Sequence, residues 1–214
     1  MLYIMTATTR RGRPPRTDAP DGRTRLLVAA REVFGTRGYA GTTVGDLTTA
    51  AGVSDPTLYH HFDGKAGLFI AAAQDAYGPV IERFRDAVAG ETQFDRALDK
   101  LFAAAVELMD TERVLARMFL TIQVDYPRHP ELAEGLRPLM RAYREFFDSL
   151  AALAPTELAP TKRARVDLSR ALVSLLTGLN SQALLLPDAA DFAGLVRSTR
   201  SLLARVQPED ESCM

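Results

Sequence analysis

The chain has 214 residues, 47% of them hydrophobic and 25% charged, a composition that fits a folded globular protein and excludes disordered, collagenous and disulfide-stapled classes. Its formal net charge of −1 conceals an asymmetry: residues 1–65 carry nine Arg/Lys and six Asp/Glu, net +3, and the remainder carries −4, so one end suits a polyanion. Cys213 is the only cysteine, which rules out an intrachain disulfide; no apolar run reaches membrane-spanning length, and the opening MLYIM is too short for a signal-peptide core, so a cytoplasmic protein is expected.

In chain order, residues 1–20 read as a flexible basic arm. Arg10, Arg11, Arg13 and Arg16 surround Gly12, Pro14 and Pro15, and the glycine and prolines oppose a helix. The run Arg11-Gly12-Arg13-Pro14 resembles the core of the AT-hook, an extended peptide that lays Arg side chains into the narrow minor groove of A·T-rich DNA. That resemblance assigns Arg11 and Arg13 to the groove. The alternative is a solubilising tail.

A first helix is expected over 21–37, with Leu26, Leu27, Ala30, Val33 and Phe34 on its apolar face. Gly38 ends it and Tyr39 returns to the core. Residues 42–65 then read as helix, tight turn, helix. Thr43 with Asp46 forms a capping box, and Val44, Leu47 and Ala51 share one face. Gly52 suits a helix end with φ > 0. Ser54 is placed to cap the second helix, and Pro56 falls in its first turn, where a missing N–H costs nothing. Leu58 and Phe62 face inward, leaving Thr57, Tyr59, His60 and His61 on the outer side. Two short helices around a glycine turn form a helix-turn-helix, whose second helix enters the DNA major groove.

The residues Ala51-Gly52-Val53-Ser54, Thr57-Leu58-Tyr59-His60-His61-Phe62 and Lys65 resemble the signature of the tetracycline-repressor (TetR) family of transcriptional regulators. Ala29-Ala30, Phe34 and Gly38-Tyr39 match the same family's first helix and the turn after it. The resemblance covers about residues 23–70. Two positions depart from it: Thr48 stands where the family usually has a small Ala, and Gly45 where some members carry a base-reading side chain.

The resemblance implies that Tyr59, His61 and Lys65 bind phosphate or brace that contact. Backbone N–H groups near Thr43, with its hydroxyl, suit a phosphate at a helix N-terminus. Pro56 and Thr57 are expected at base edges, with Ser54 beside them. His60 reads a base or a phosphate. Asp55 is repelled by DNA unless a cytosine N4 amino group meets it, or else it caps its own helix.

The linking helix should begin near Gly64, capped by Asp63, and kink or break at Gly78-Pro79. The body is helical throughout, in apolar stripes over 98–109, 115–126 and 132–153, with Pro127, Pro130, Pro155 and Pro160 between or after them. The expected organisation is an arm (1–20), a helix-turn-helix domain (21–65) and an all-α domain for effector binding and dimerisation (66–210). Between Ala171 and Leu186 apolar residues occur on every side of the helix, so it needs cover on every side. In the family this chain resembles, the last two helices pair with their copies. That implies a homodimer through Leu172, Leu175, Leu179, Phe192, Leu195, Val196, Leu202 and Leu203; the alternative is a helix buried within one subunit.

The same resemblance implies an effector pocket among the body helices. The candidates are Phe102, Met109, Phe119, Tyr143, Phe147, Leu176, Thr177 and Asn180, with Thr177 and Asn180 alternatively bonding backbone or the dimer partner. No cofactor is expected, nor a metal: His60 and His61 are adjacent and point about 100° apart on a helix, and His129 is isolated. No catalytic constellation stands out. The residues and the resemblance together imply a homodimeric repressor that binds a near-palindromic operator in double-stranded DNA and is released by a small, largely apolar effector. A regulator or architectural protein without a ligand is the alternative, and an enzyme with its site in the body is a further one.

Overall fold

A computed structural model describes residues 21–111, 113–186 and 188–206. Among these residues the chain is all-α. The helices are α1 (Gly22–Arg37), α2 (Val44–Ala51), α3 (Asp55–Phe62), α4 (Lys65–Val88), α5 (Phe94–Thr111), α6 (Arg113–Asp125), α7 (Pro130–Ala152), α8 (Lys162–Ala183) and α9 (Ala189–Val206). Arg11 and Arg13 lie outside the described residues.

The helix ends follow from local chemistry. The Asp21 carboxylate accepts the Thr24 N–H at 2.8 Å and starts α1. At α2 the reciprocal box is complete: the Thr43 hydroxyl accepts the Asp46 N–H at 3.2 Å, and the Asp46 carboxylate accepts the Thr43 N–H at 2.9 Å. Gly52 closes α2 in the left-handed region, φ 61.

Three local expectations are corrected. Ser54 occupies the N-cap position of α3, but its hydroxyl turns to the Thr57 hydroxyl at 2.9 Å and caps no backbone N–H. Asp63 does not cap α4. It lies in the left-handed region, φ 54, where it closes α3, and Gly64 takes the N-cap place. Finally, of the kink or break expected at Gly78-Pro79, the break does not occur: α4 runs unbroken through Pro79. The ring is exposed while Tyr77, Val80 and Ile81 are buried, so packing on the inner side offsets the lost hydrogen bond.

α1 packs against α2, α4 and α6, while α4 continues into the body against α5 and α7. A single apolar cluster runs from Leu26 and Phe34 through Phe69 to Phe146 and Phe147, so the core continues across residue 65. Further on, Arg165 Nη1 donates to the carbonyls of Ala151, Ala152 and Ala154 at 3.0, 2.8 and 3.0 Å, satisfying the end of α7. The Ser169 hydroxyl donates to Asp148 at 2.7 Å and ties α8 to α7.

Candidate nucleic-acid interface

The α2–α3 pair is clasped from behind by charged side chains of α1. Arg25 donates to the Gly52 carbonyl at 3.1 Å, Arg37 pairs with Asp46 at 2.6 Å, and the Arg23 guanidinium lies 5.5 Å from the centre of the Phe62 ring. The Thr43 hydrogen bonds first, then Arg37, hold the Asp46 carboxyl down at about 2, so it stays ionised at the N-terminus of α2. Between the two helices, Thr48 Oγ1 donates to Asp55 Oδ1 at 2.6 Å.

This leaves one polar, open surface. Thr43, Ser54, Asp55, Pro56, Tyr59, His60 and His61 are exposed, Tyr59 at 56% although it is a large aromatic. The His60 and His61 rings stand 5.0 Å apart. Thr57 differs from its expected place. It is half-buried, its hydroxyl is engaged by Ser54, and its methyl carbon would lie 3.1 Å from a Cβ added at Gly22.

Lys65 lies beneath this surface. Its ammonium donates to the Tyr39 and Thr42 carbonyls, each at 3.0 Å, and stands 4.3 Å from the centre of the Tyr39 ring. This is the bracing geometry among the two roles open to Lys65. It holds the turn that delivers Thr43 to the start of α2.

The same turn is held from the body side, through contacts that periodicity did not reveal. Asp125, at the end of α6 and 7% exposed, accepts the Tyr39 N–H at 2.7 Å. His129 packs its ring edge-on to Tyr39 at 4.7 Å, with Nε2 3.9 Å from Asp125 and Nδ1 3.5 Å from Glu131. Burial first, and the nearby Glu131 carboxylate second, push the Tyr39 phenol up to about 12. One signal in the sequence did point to Asp125: it falls at i+3 from Ile122 and i+7 from Met118, on the buried face of α6. A carboxylate on that face needs a donor.

In the body, an apolar cavity of about 40 Å³ lies between α4, α5, α6, α7, α8 and α9. Of the residues expected to line a pocket, Phe119, Tyr143, Leu176 and Asn180 do so. Phe102 and Phe147 are plain core, 2% and 0% exposed, and are not among the lining residues. Thr177 is half-buried close to Tyr143, and the Met109 side chain lies outside what is described. Asn180 donates to the Ala116 carbonyl at 3.1 Å, so its amide is engaged by backbone. Sequence reasoning missed Tyr77, whose hydroxyl donates to the Leu115 carbonyl in the cavity wall.

The helix expected to be covered by a partner is partly covered by its own chain. Leu172, Leu179, Phe192 and Val196 are buried within the subunit, so they offer a second copy little surface. Leu175 and Leu195 are half-buried; Leu202 and Leu203 are exposed, as is Leu185 at 74%. Among the described residues no group of three or more His, Cys, Asp or Glu is placed to hold a metal, and no helix is long and apolar enough to cross a membrane.

Comparison with known proteins agrees with the head's geometry. Residues 26–72 match the family model described as bacterial regulatory proteins, tetR family. The HTH-type transcriptional repressor KstR2 of Rhodococcus jostii is 33% identical over 101 residues, which cover 45% of this chain and 50% of that protein. The chain spans about half the length of the curated relatives it matches at this level of identity. Two solved structures share the fold. Salmonella enterica GusR aligns with a TM-score of 0.62 at 24% identity, covering 89% of this chain and 98% of that one. Bacillus subtilis FadR, solved in complex with stearoyl-CoA, aligns with a TM-score of 0.63 at 20% identity, covering 84% and 96%. With a matching sequence, a capped helix-turn-helix and this all-α fold, residues 26–72 carry the head described for the tetR family of bacterial regulatory proteins.

Proposed function

We propose that the chain is a homodimeric, ligand-responsive transcriptional repressor whose two heads bind a near-palindromic operator. The observation that carries this reading is the open polar face of α3 beside the capped N-terminus of α2, set on a turn that Lys65 and Asp125 hold from behind. Thr43 and the first N–H groups of α2 take a phosphate. Pro56, with Ser54 alongside, meets base edges, while Asp55 is held by Thr48; Tyr59, His60 and His61 contact phosphate or base. Lys65 braces these contacts, and Arg11 and Arg13 extend them into the minor groove.

Dimerisation uses the apolar surface that the subunit leaves open, at Leu175, Leu195, Leu202 and Leu203 with Leu185. A twofold dimer demands a near-palindromic site. An effector in the body favours a state in which α6 no longer holds the head in register, and it must prefer that state to shift the population. A largely apolar effector suits the cavity wall, and the stearoyl-CoA held by the FadR structure is consistent with such chemistry in this fold.

The small size of the cavity, about 40 Å³, favours a second reading, a regulator with a filled body and no ligand. Selection of duplexes from a random pool, with sedimentation of the complex, tests the main proposal. The expected result is a palindromic motif bound by a dimer. Enrichment of no motif, or a monomer on a single half-site, would refute it.

A further inference from the structure

The apolar cavity among the body helices has a smaller neighbour of about 10 Å³, and both are walled by Tyr77, Ile81, Phe119 and Tyr143. The polar groups of this shared region are unequal. The Tyr77 hydroxyl donates to the Leu115 carbonyl, and the Asn180 amide donates to the Ala116 carbonyl. The Tyr143 hydroxyl is buried and makes no hydrogen bond with any described residue. Thr177 is its hydrogen-bonding neighbour and pulls the phenol down slightly, but the two side chains do not reach the geometry of a full hydrogen bond. A buried hydroxyl without a partner is uncommon and calls for an explanation. No charged side chain lines either cavity among the described residues.

We propose that this site takes a neutral ligand with an apolar body and one carbonyl-type oxygen, which accepts the Tyr143 O–H. The inference rests on the reading of the body as an effector sensor and narrows the effector's class. Burial drives the Tyr143 phenol well above its ordinary value, so it remains a donor. A carboxylate or an ammonium would enter an uncharged wall unpaired and is rejected on that ground.

The void now present holds only a few water-sized groups, so the ligand must push the walls apart and join the two spaces. The smaller space is bounded by Ile122 and Gln123 of α6, and Asp125, which holds the Tyr39 N–H, lies within three residues of Ile122. Widening there displaces the end of α6 and loosens the head's turn.

The test titrates the full chain with 2-octanone, octanoate and octane by calorimetry, for the natural protein and for Tyr143→Phe. The natural protein should bind 2-octanone at least about tenfold more tightly than octanoate. Tyr143→Phe should weaken the ketone by about tenfold and leave octane unchanged. The infrared carbonyl stretch of 2-octanone bound to the natural protein should move to lower wavenumber, a readout that does not depend on the variant folding. Octanoate binding as well as the ketone, an unshifted stretch, undiminished ketone binding by Tyr143→Phe, or no binding of 2-octanone each overturns the proposal. Operator binding measured on the same preparation separates the two readings. A chain that binds its operator but not 2-octanone loses only the ligand class. A chain that shows the ketone effects but binds no operator supports this site and refutes the regulator.

Discussion

The Thr48 hydroxyl of α2 donates to the Asp55 carboxylate at the first position of α3, 2.6 Å away. Thr48 is 3% exposed, so its hydroxyl needs a partner, and the Val44 and Gly45 carbonyls at 3.1 and 3.4 Å are the competing acceptors for its single hydrogen. The position that departs from the family's usual small residue is thus matched by a carboxylate across the turn. Together the two residues tie α2 to the start of α3.

This pairing gives Asp55 a structural role, and a double-mutant cycle measures it. Thr48→Ala and Asp55→Ala should each lower stability, with a coupling of about 0.5–1.5 kcal/mol by urea denaturation. Because one carboxylate oxygen is committed to Thr48, sites selected from a random pool by Asp55→Ala should equal those of the natural protein. A change confined to one base pair per half-site would restore base reading to Asp55.

Lys65 should act through the turn it holds. Lys65→Ala removes two charge-assisted hydrogen bonds and the contact with the Tyr39 ring, and should cost about 1–3 kcal/mol at its half-exposed site. Affinity should fall on specific and random duplexes alike while the salt dependence keeps its slope. A slope flattened by about one unit per half-site would show a direct phosphate contact instead.

Asp125→Ala should leave the buried Tyr39 N–H without its acceptor, at a cost of about 1–3 kcal/mol, whereas Asp125→Asn retains an acceptor oxygen and should cost less. Hydrogen exchange at the Tyr39 amide checks this directly. Protection should drop with alanine and largely survive with asparagine. Equal protection in all three proteins would mean that α6 does not hold the turn.

The pH response of the head should follow Asp46. Its folded carboxyl is depressed from 3.8 to about 2, by Thr43 first and Arg37 after it. A depressed acid stabilises the fold above its unfolded value and loses that contribution as pH falls through its folded one. Thermal melts should therefore show the capping box weakening between about pH 4 and 2. Asp46→Asn should flatten the curve in that window, and an unaltered curve would assign the acid sensitivity elsewhere.

Two glycines in the head should respond oppositely to alanine. A Cβ at Gly67 would lie 1.7 Å from the Phe62 carbonyl oxygen, a backbone clash between α3 and α4, so Gly67→Ala should cost more than about 3 kcal/mol or prevent folding of the head. Gly45 has only the Thr43 hydroxyl at 3.9 Å, and Gly45→Ala should stabilise α2 by about 0.5–1 kcal/mol. Differential scanning calorimetry of both variants reads the contrast.

Much of the architecture was legible in the sequence because helix signals are local. The Thr43–Asp46 box, the Gly52 turn and the inward pair Leu58 and Phe62 each rest on residues within about one turn of one another, and they were placed correctly. The expectations that failed are the caps assigned to Ser54 and Asp63 and the break at Pro79. Each of those residues does what its neighbours in space permit. Ser54 turns to Thr57, Asp63 adopts the left-handed region, and Pro79 rests on a helix whose other side is buried.

Tertiary structure alone decided which polar groups are already engaged. Tyr39 and Asp125 are 86 positions apart, so no periodicity links them. Packing likewise turned Lys65 inward, placed Leu172, Leu179, Phe192 and Val196 in the subunit's own core, and left the Tyr143 hydroxyl unpaired beside a cavity. Sequence alone determined where the helices lie and which family's head they build, since capping and amphipathic spacing act over three or four residues. The partners of buried donors and acceptors depend on how helices distant in the chain come together, and only the folded core selects them.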